Sequence, residues 1–542
     1  MKPNKMLRPL LVILITCVGL VSLSFKANLF EVAKQLEIFT AVYKELHMNY
    51  VDETNPAALM ESAIKNMLNE LDPYTVFLTE QDAEGFKIDQ AGEYAGIGAD
   101  VRLIDEKLVV QEIYEGLPAD LAGLKAGDEI LSVGGLAIEE LRGDALALLK
   151  GESGSSVSLT YFRMGQAATV NVGRSSVDPN AVPFFGMADA KTGYIVLSRF
   201  NAESTEQVRE ALLSLKASGA ERLVLDVRGN PGGLLGEAIN IVNLFVPKGE
   251  LVVFTRSSID SFNQNYITRE EPVDTSIPIA ILIDGNSASA SEIVAGSLQD
   301  LDRAVVLGAQ SFGKGLVQRQ LPLPYGTQLK VTISRYYTPS GRCIQALDYQ
   351  NRDDQGNASR KNVFNVFRTR NGRKVTDAGG ITPDVFVPSQ ESNDLLNALL
   401  KDNLIFDFTT TYCQSHDFQS FSNFSLSDSD YNSFVEFANR RGFRFESEQE
   451  ISLNEIFSKP PHVMASSDVQ LAYKNLLLSL EKDRENIFET SADKVRLELE
   501  KAIIIRYFYR SGLYTYLLDK DEAILAAREL LKDGSRYNAL LK

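Results

Sequence analysis

Apolar residues recur along this chain in successive rhythms, and each change of rhythm marks a boundary. From residue 29 to about 70 they fall at threes and fours (Phe30, Val32, Leu36, Phe39, Val42, Tyr43, Leu46), the spacing of an amphipathic helix. A second helical stretch runs from Pro56 to Leu71 and stops at Asp72-Pro73, where proline forbids continuation. Between Gly85 and about Gly173 the pattern shortens to alternating runs (GIGADVRL, KLVVQEIY, DEILSVGG, SVSLTYF) bounded by glycine or charge, which predicts short strands. Within GLPADLAGLKAGDEILSVGG, Pro118 suits the first turn of a short helix, Gly123 its left-handed end, and Gly127-Asp128 the turn into a strand from Glu129 to Val133. Such strands around two short helices predict a small barrel-like module.

From Lys191 to about Pro388, strands alternate with helices. GYIVLSRF, ERLVLDVRG, LVVFTR, PIAILIDG, RAVVLG and TQLKVTISRYYTPSG read as strands, with helices at 203–218, 233–245 and 289–301. Nearly continuous apolar runs such as Ile279 to Ile283 predict strands covered on both faces, hence an α/β core. After Ser389 the chain turns helical and polar, with helices expected near 391–404, 428–440, 466–484, 491–511 and 520–533. The Ser/Asn/Asp/Phe-rich patch from Ser415 to Ser433 is expected to be the most flexible stretch. The reading is a multidomain α+β and α/β protein: a leader at 1–27, a helical segment at 28–84, the small β module at 85–175, the core at 176–390 and a helical extension at 391–542.

Composition narrows the function. With 542 residues, 44% hydrophobic and 23% charged, the chain can bury several cores. A net charge of −17 and no Lys/Arg cluster exclude a nucleic-acid surface. Lys2, Lys5 and Arg8 precede an apolar run from Pro9 to Phe25, the make-up of a targeting segment, so the protein is expected outside the cytoplasm, periplasmic or membrane-anchored facing the periplasm. Cleaved signal and retained anchor both fit a run of that length. Cys17 follows Thr16, a poor lipoprotein signal. Only Cys343 and Cys413 lie downstream, which rules out a disulfide framework, and no Cys/His cluster has metal spacing.

The candidate chemistry sits in the core. The expected strand from Pro278 to Asp284 runs through Gly285-Asn286 into a helix that begins near Ser289, where free N–H groups and the helix dipole can stabilise an oxyanion, Ala290 N–H being the natural donor. Ser289-x-x-Glu292 is equally a capping box, and Ser287, Ser289 and Ser291 alternate so that spacing does not choose among them. Histidine is absent from residue 48 to 415; His47, His416 and His462 all lie outside this region, so a serine nucleophile would need another base. Lys314, in SFGKG beside Phe312, is the remaining candidate. It can act only when neutral, so burial must lower its pKa towards the working pH; the alternative is an exposed loop lysine. Gln318, four residues on in an extended segment, can reach the amine. The turn Asp226-Val-Arg-Gly-Asn-Pro-Gly-Gly233 lacks the Gly-Lys-Ser/Thr ending of a phosphate loop, and an oxyanion contribution from Gly232 or Gly233 fits it better.

The ordered set LDPYTVFL, YAGIGADV, the PDZ-like GLPADLAGLKAGDEILSVGG, LDVRGNPGG, GNSASASEIVAGSLQD, SFGKGLVQ and GITPD resembles the C-terminal processing (tail-specific) peptidases, serine endopeptidases with a Ser-Lys dyad. The resemblance runs from about residue 30 to residue 388. It implies Ser289 as nucleophile, Lys314 as base, Gln318 as its orienting partner, and an oxyanion hole from Ala290, Gly232 and Gly233. Glu292 and Asp300 match positions of supporting acids, which capping and a helix end explain equally well.

The resemblance also implies a crotonase-like protease core with a PDZ domain inserted between it and the N-terminal helices. A PDZ groove adds an extended peptide as a strand and holds its terminal carboxylate on backbone N–H groups; here that loop would be Ala95-Gly96-Ile97-Gly98, leading into a strand from Ala99 to Leu103. The expected partners are protein or peptide substrates with accessible C-termini, with no cofactor or metal, and with membrane anchoring and homo-oligomerisation left open. The extension from 391 has no counterpart in the minimal family architecture. A catalytically silent PDZ scaffold that tethers peptide tails is the competing reading.

Overall fold

The computed structural model describes residues 30–80, 82–83, 95–140, 145–176, 180–352, 358–360, 364–377, 379–388, 394–418, 420–421, 424–458 and 466–542. The leader expected at 1–27 lies outside them. Among the described residues no helix is long and apolar enough to cross a membrane.

The described chain divides into two compact units, with the break between Phe77 and Leu78. The first contains a helix over residues 30–49 and a second over Pro56–Asn69. Asn55 caps the second by accepting Ala58 N–H at 3.2 Å, with Pro56 in its first turn. Asp72 then turns the chain, its Oδ1 accepting Tyr74 and Thr75 N–H at 2.9 and 2.8 Å.

In the second unit, the module begins with an antiparallel sheet ordered Ala99–Ile104, Lys107–Ile113, Glu129–Val133, Ser156–Arg163, Gln166–Gly173. Its alternating apolar positions, among them Leu108, Val110, Val133 and Leu159, meet Leu124 in a closed core. The strand Ala99–Ile104 is its edge, paired on one side only among the described residues.

The core sheet runs Phe184–Met187, Thr192–Val196, Arg222–Asp226, Ile279–Ile283, Val305–Gly308, Val385–Phe386. The first pair is antiparallel and the rest are parallel. Side chains alternate between two separate cores, as a sheet buried on both faces requires. Ile195, Leu223, Leu225, Ile279, Ile281 and Val306 face the helices Ser204–Ala217, Leu235–Asn243 and Ala290–Asp300. Tyr194, Val224, Ala280, Leu282, Val305 and Leu307 face Ile524, Ala527, Leu530 and Leu531 of the helix Glu522–Lys532, and Tyr537 beyond it. The C-terminal extension therefore forms the second layer of the core. A further sheet joins Leu316–Pro322, Gln328–Tyr337, Leu251–Arg256 and Asn265–Ile267.

The extension adds helices at Leu404–Ser415, Glu448–Ser458 and Gly534–Leu540 that the polar pattern did not reveal. Within the patch expected to be flexible, the described aromatic side chains pack against the helix Ala492–Leu517 and one another. Phe418 meets Phe424 and Tyr507 edge-on at 5.0 and 5.3 Å, and Phe421 meets Phe508 at 4.9 Å. The helix Ala492–Leu517 breaks at Tyr509 (φ 55°, ψ −167°). At that break the Tyr509 hydroxyl donates to Asp120 at 2.7 Å and Arg510 grips Glu112 at 2.5 and 2.8 Å, joining the extension to the small β module.

Candidate active site

The strand Ile279–Ile283 is fully buried and ends in the turn Asp284-Gly285-Asn286-Ser287, which the Asp284 carboxylate organises by accepting Asn286 N–H at 3.0 Å. The three serines that spacing could not separate then have different environments. Ser287 Oγ is buried and donates to Val227 O at 2.8 Å; Ser291 Oγ is buried and donates to Asn230 O at 2.9 Å. Ser289 alone of the three is partly exposed. Its backbone (φ 56°, ψ −110°) lies outside the regions that L-residues favour, a strain of roughly 1–3 kcal/mol that concentrates at functional positions.

The fully buried Glu292 does reach back to Ser289 N–H at 2.8 Å, as a capping box requires, and it does more. The same oxygen, Oε2, accepts Lys314 N–H at 2.9 Å, while Oε1 accepts Gly313 N–H at 2.7 Å and the Ser311 hydroxyl at 2.6 Å. One carboxylate atom thus joins the backbones of Ser289 and Lys314. From the carbonyl side, the Tyr336 hydroxyl does the same, lying 2.5 Å from Lys314 O and 3.1 Å from Ser289 O. Burial raises the Glu292 pKa to about 7 against these donors, which favour its ionised form. Tyr336 had no local signal; it sits on the strand Gln328–Tyr337, and its role arises from tertiary packing alone.

The lysine loop needs its glycines. A Cβ on Gly313 (φ 89°) would lie 2.5 Å from the Ala346 side chain. Lys314 is partly buried, while its neighbour Phe312 is 50% exposed. Gln318 sits at a register shift in its strand, and its amide donates to Thr332 Oγ1 at 3.3 Å.

The 226–233 turn packs directly on Ser289. A Cβ on Gly232 (φ 100°) would lie 2.9 Å from both Ala290 N and Ser289 Cβ and 2.8 Å from Ala288 O, so only glycine fits. Gly232 N–H is already donated to Asn230 Oδ1 at 2.9 Å. Gly233 N–H and Ala290 N–H have no acceptor among the described residues. Asp300, at the other end of the serine helix, pairs with Arg342 at 2.8 Å, both fully buried, and serves structure.

In the small β module, Ala95-Gly96 pairs with Ser175-Ser176, Ile97 is buried, and Gly98 is left-handed (φ 76°). The carbonyls of Ile97 and Gly98 accept Ala119 and Tyr114 N–H at 2.7 and 3.1 Å. Their own N–H groups have no acceptor among the described residues.

Three family models match in chain order: PDZ domain over residues 95–173, peptidase family S41 over 191–351, and "Probable PDZ-protease, C-terminal helical domain" over 395–531. The carboxy-terminal-processing protease of Bartonella bacilliformis is 34% identical over 321 residues, covering 58% of this chain and 73% of that protein. The chain belongs to the carboxy-terminal-processing proteases of peptidase family S41. It is thus a serine peptidase with a PDZ domain and a helical C-terminal domain. Another member, the Staphylococcus aureus "Probable CtpA-like serine protease", is 33% identical over 307 residues, 56% of this chain and 61% of that protein. Two solved members are also similar. The photosystem II D1 C-terminal processing protease is 27% identical with a TM-score of 0.38, over 65% of this chain and 92% of that one. The peptide-bound PDZ domain of the Vibrio cholerae carboxy-terminal protease is 28% identical with a TM-score of 0.14, over 15% and 94%.

Proposed function

We propose that the protein is an exported endopeptidase that cleaves proteins presenting accessible C-terminal tails, with Ser289 as nucleophile and Lys314 as general base. The observation that carries the dyad is the double link between the two residues, through Glu292 Oε2 and through the Tyr336 hydroxyl. The engaged hydroxyls of Ser287 and Ser291 and the strained backbone of Ser289 support the choice of serine. The crotonase-like architecture belongs to the same proposal, supported by the mixed sheet with Ser289 at the start of a covering helix.

Ser289 Oγ adds to the scissile carbonyl carbon while its proton passes to the neutral Lys314 amine. The carbonyl oxygen, now anionic, faces the N–H groups of Ala290 and Gly233, which have no acceptor among the described residues; Gly232 contributes close packing. Collapse breaks the C–N bond, and the leaving amine takes the proton from Lys314. Water, deprotonated by the same lysine, then adds to the ester carbon; the C–O bond to Ser289 breaks and Lys314 returns the proton to Ser289 Oγ, releasing the second product as an acid. The Ile97 and Gly98 N–H groups hold the substrate's terminal carboxylate, and the open edge of Ala99–Ile104 takes its last residues as an added strand.

The test is cleavage of an unfolded protein such as reduced casein. Ser289→Ala and Lys314→Ala should each reduce the rate by ~10³-fold or more; wild-type rates in both would overturn the dyad. Export is checked by fractionation, and recovery of the chain solely in the cytosol would remove that part.

A further inference from the structure

The turn that carries Gly233 is anchored from outside the protease domain. Asp226, nearly buried, accepts Arg228 N–H at 2.9 Å, its Nε at 3.0 and 3.1 Å, its Nη2 at 2.7 Å and the Tyr194 hydroxyl at 2.7 Å. The other guanidinium nitrogen, Nη1, reaches both carboxylate oxygens of Asp521 at 3.0 and 2.9 Å. Asp521 belongs to the helical extension, where it is the N-cap of the helix Glu522–Lys532 and accepts Ala523 and Ile524 N–H, each at 3.0 Å. It is therefore held in place by its own helix. Burial opposes the charge on Arg228, but Asp226 and Asp521 together lift its pKa well above the ordinary value.

Beyond Arg228 the turn is tied to its immediate surroundings. Gly229 N–H goes to Asp284 at 2.9 Å, Asn230 Nδ2 to Leu197 O at 2.7 Å, and Asn230 O accepts Ala288 N–H at 3.0 Å. At the start of the turn, Arg228 fixes the backbone, and one of its two carboxylate partners comes from nearly 300 residues downstream. We propose that Asp521 is a positioning residue for catalysis: through Arg228 it sets the 229–233 turn so that Gly233 N–H stands with Ala290 N–H at the developing oxyanion. This rests on the reading of those two groups as the oxyanion hole. Donors of that kind work only when held to within a fraction of an ångström before the charge forms. The helical domain then belongs to the catalytic support, besides covering the sheet.

The experiment uses the full chain. Asn and Ser are both good N-caps, so Asp521→Asn and Asp521→Ser keep the helix start while breaking the ionic pair with Arg228. The expected result is a kcat on an unlabelled casein-derived peptide lowered by about 10- to 100-fold. KM should stay within about twofold and the melting temperature within a few degrees. The loss should persist per active serine, counted with a fluorophosphonate, since a merely structural lesion lowers the count and not the rate per site. Arg228→Gln should show the same kcat loss, and adding Asp521→Asn to it should cost nothing more. Wild-type kcat in both Asp521 variants, or losses that multiply in the double variant, would overturn the proposal. If Ser289→Ala and Lys314→Ala are inactive while Asp521→Asn is not impaired, this inference alone fails; if those two stay active, the dyad reading has failed first.

Discussion

Glu292 combines two tasks that a single residue rarely shares: it caps the helix that carries the serine and holds the loop that carries the lysine. Its four donors stabilise the carboxylate, yet burial keeps its pKa near 7 where an ordinary glutamate is near 4.5. Between those values the folded chain binds one more proton at this site than the unfolded chain does. Its contribution to stability is therefore greatest below about pH 4.5, declines as the pH rises through the window, and levels off above about pH 7, a total change of roughly 3 kcal/mol. Urea unfolding of wild type and Glu292→Gln across pH 4.5–8 checks this. The difference between the two should shift with pH in that sense, and parallel curves would contradict it. Sequence reading found the reach-back to Ser289, because capping is local. It missed the grip on Gly313 and Lys314, since a carboxylate gathering N–H groups from two loops leaves no periodic or spacing signal. The same holds for Tyr336, while the three-serine ambiguity needed knowledge of which hydroxyls are already engaged.

At the level of elements, the helix Glu522–Lys532 shows what a one-dimensional pattern conveys and what it withholds. Its apolar positions mark a helix with one buried face, and that much was legible at 520–533. Which surface it covers was not, because the partner strands lie more than 200 residues away. Ile524 is completely buried against the core sheet, whereas its neighbour Leu525 is 37% exposed. Ile524→Ala should destabilise the chain by about 2–5 kcal/mol, and Leu525→Ala by about 1 kcal/mol or less. Thermal or denaturant melts decide this, and equal losses would mean the helix does not dock as described. The four central core strands were legible, since parallel strands buried on both faces read as continuous apolar runs, whereas the edge strands Phe184–Met187 and Val385–Phe386 were not.

Across the whole molecule, the PDZ domain and the peptidase domain are different parts of one chain. In the proposed capture loop the Ile97 and Gly98 N–H groups have no acceptor among the described residues, and such groups suit a carboxylate better than an amide. An otherwise identical substrate with an amidated C-terminus should be cleaved several-fold more slowly at sub-saturating concentration, with the loss chiefly in KM. Equal kcat/KM for acid and amide would remove the carboxylate-capture reading. The separate apolar rhythm of each part was legible. The contacts of the extension with the β module at Tyr509 and Arg510 were not, being made by polar side chains without periodicity.

The sheet whose second face is covered by Leu518, Ile524, Leu530 and Tyr537 has a consequence for how the chain is made. Synthesis proceeds from the N-terminus at a few to some twenty residues per second, so the ribosome releases Ser289 and Lys314 many seconds before it releases that cover. During this interval Val224, Ala280, Leu282 and Leu307 have nothing from the later helices to bury them. Burial of that face of the sheet therefore waits until the helix beginning at Glu522 has left the ribosome and docked.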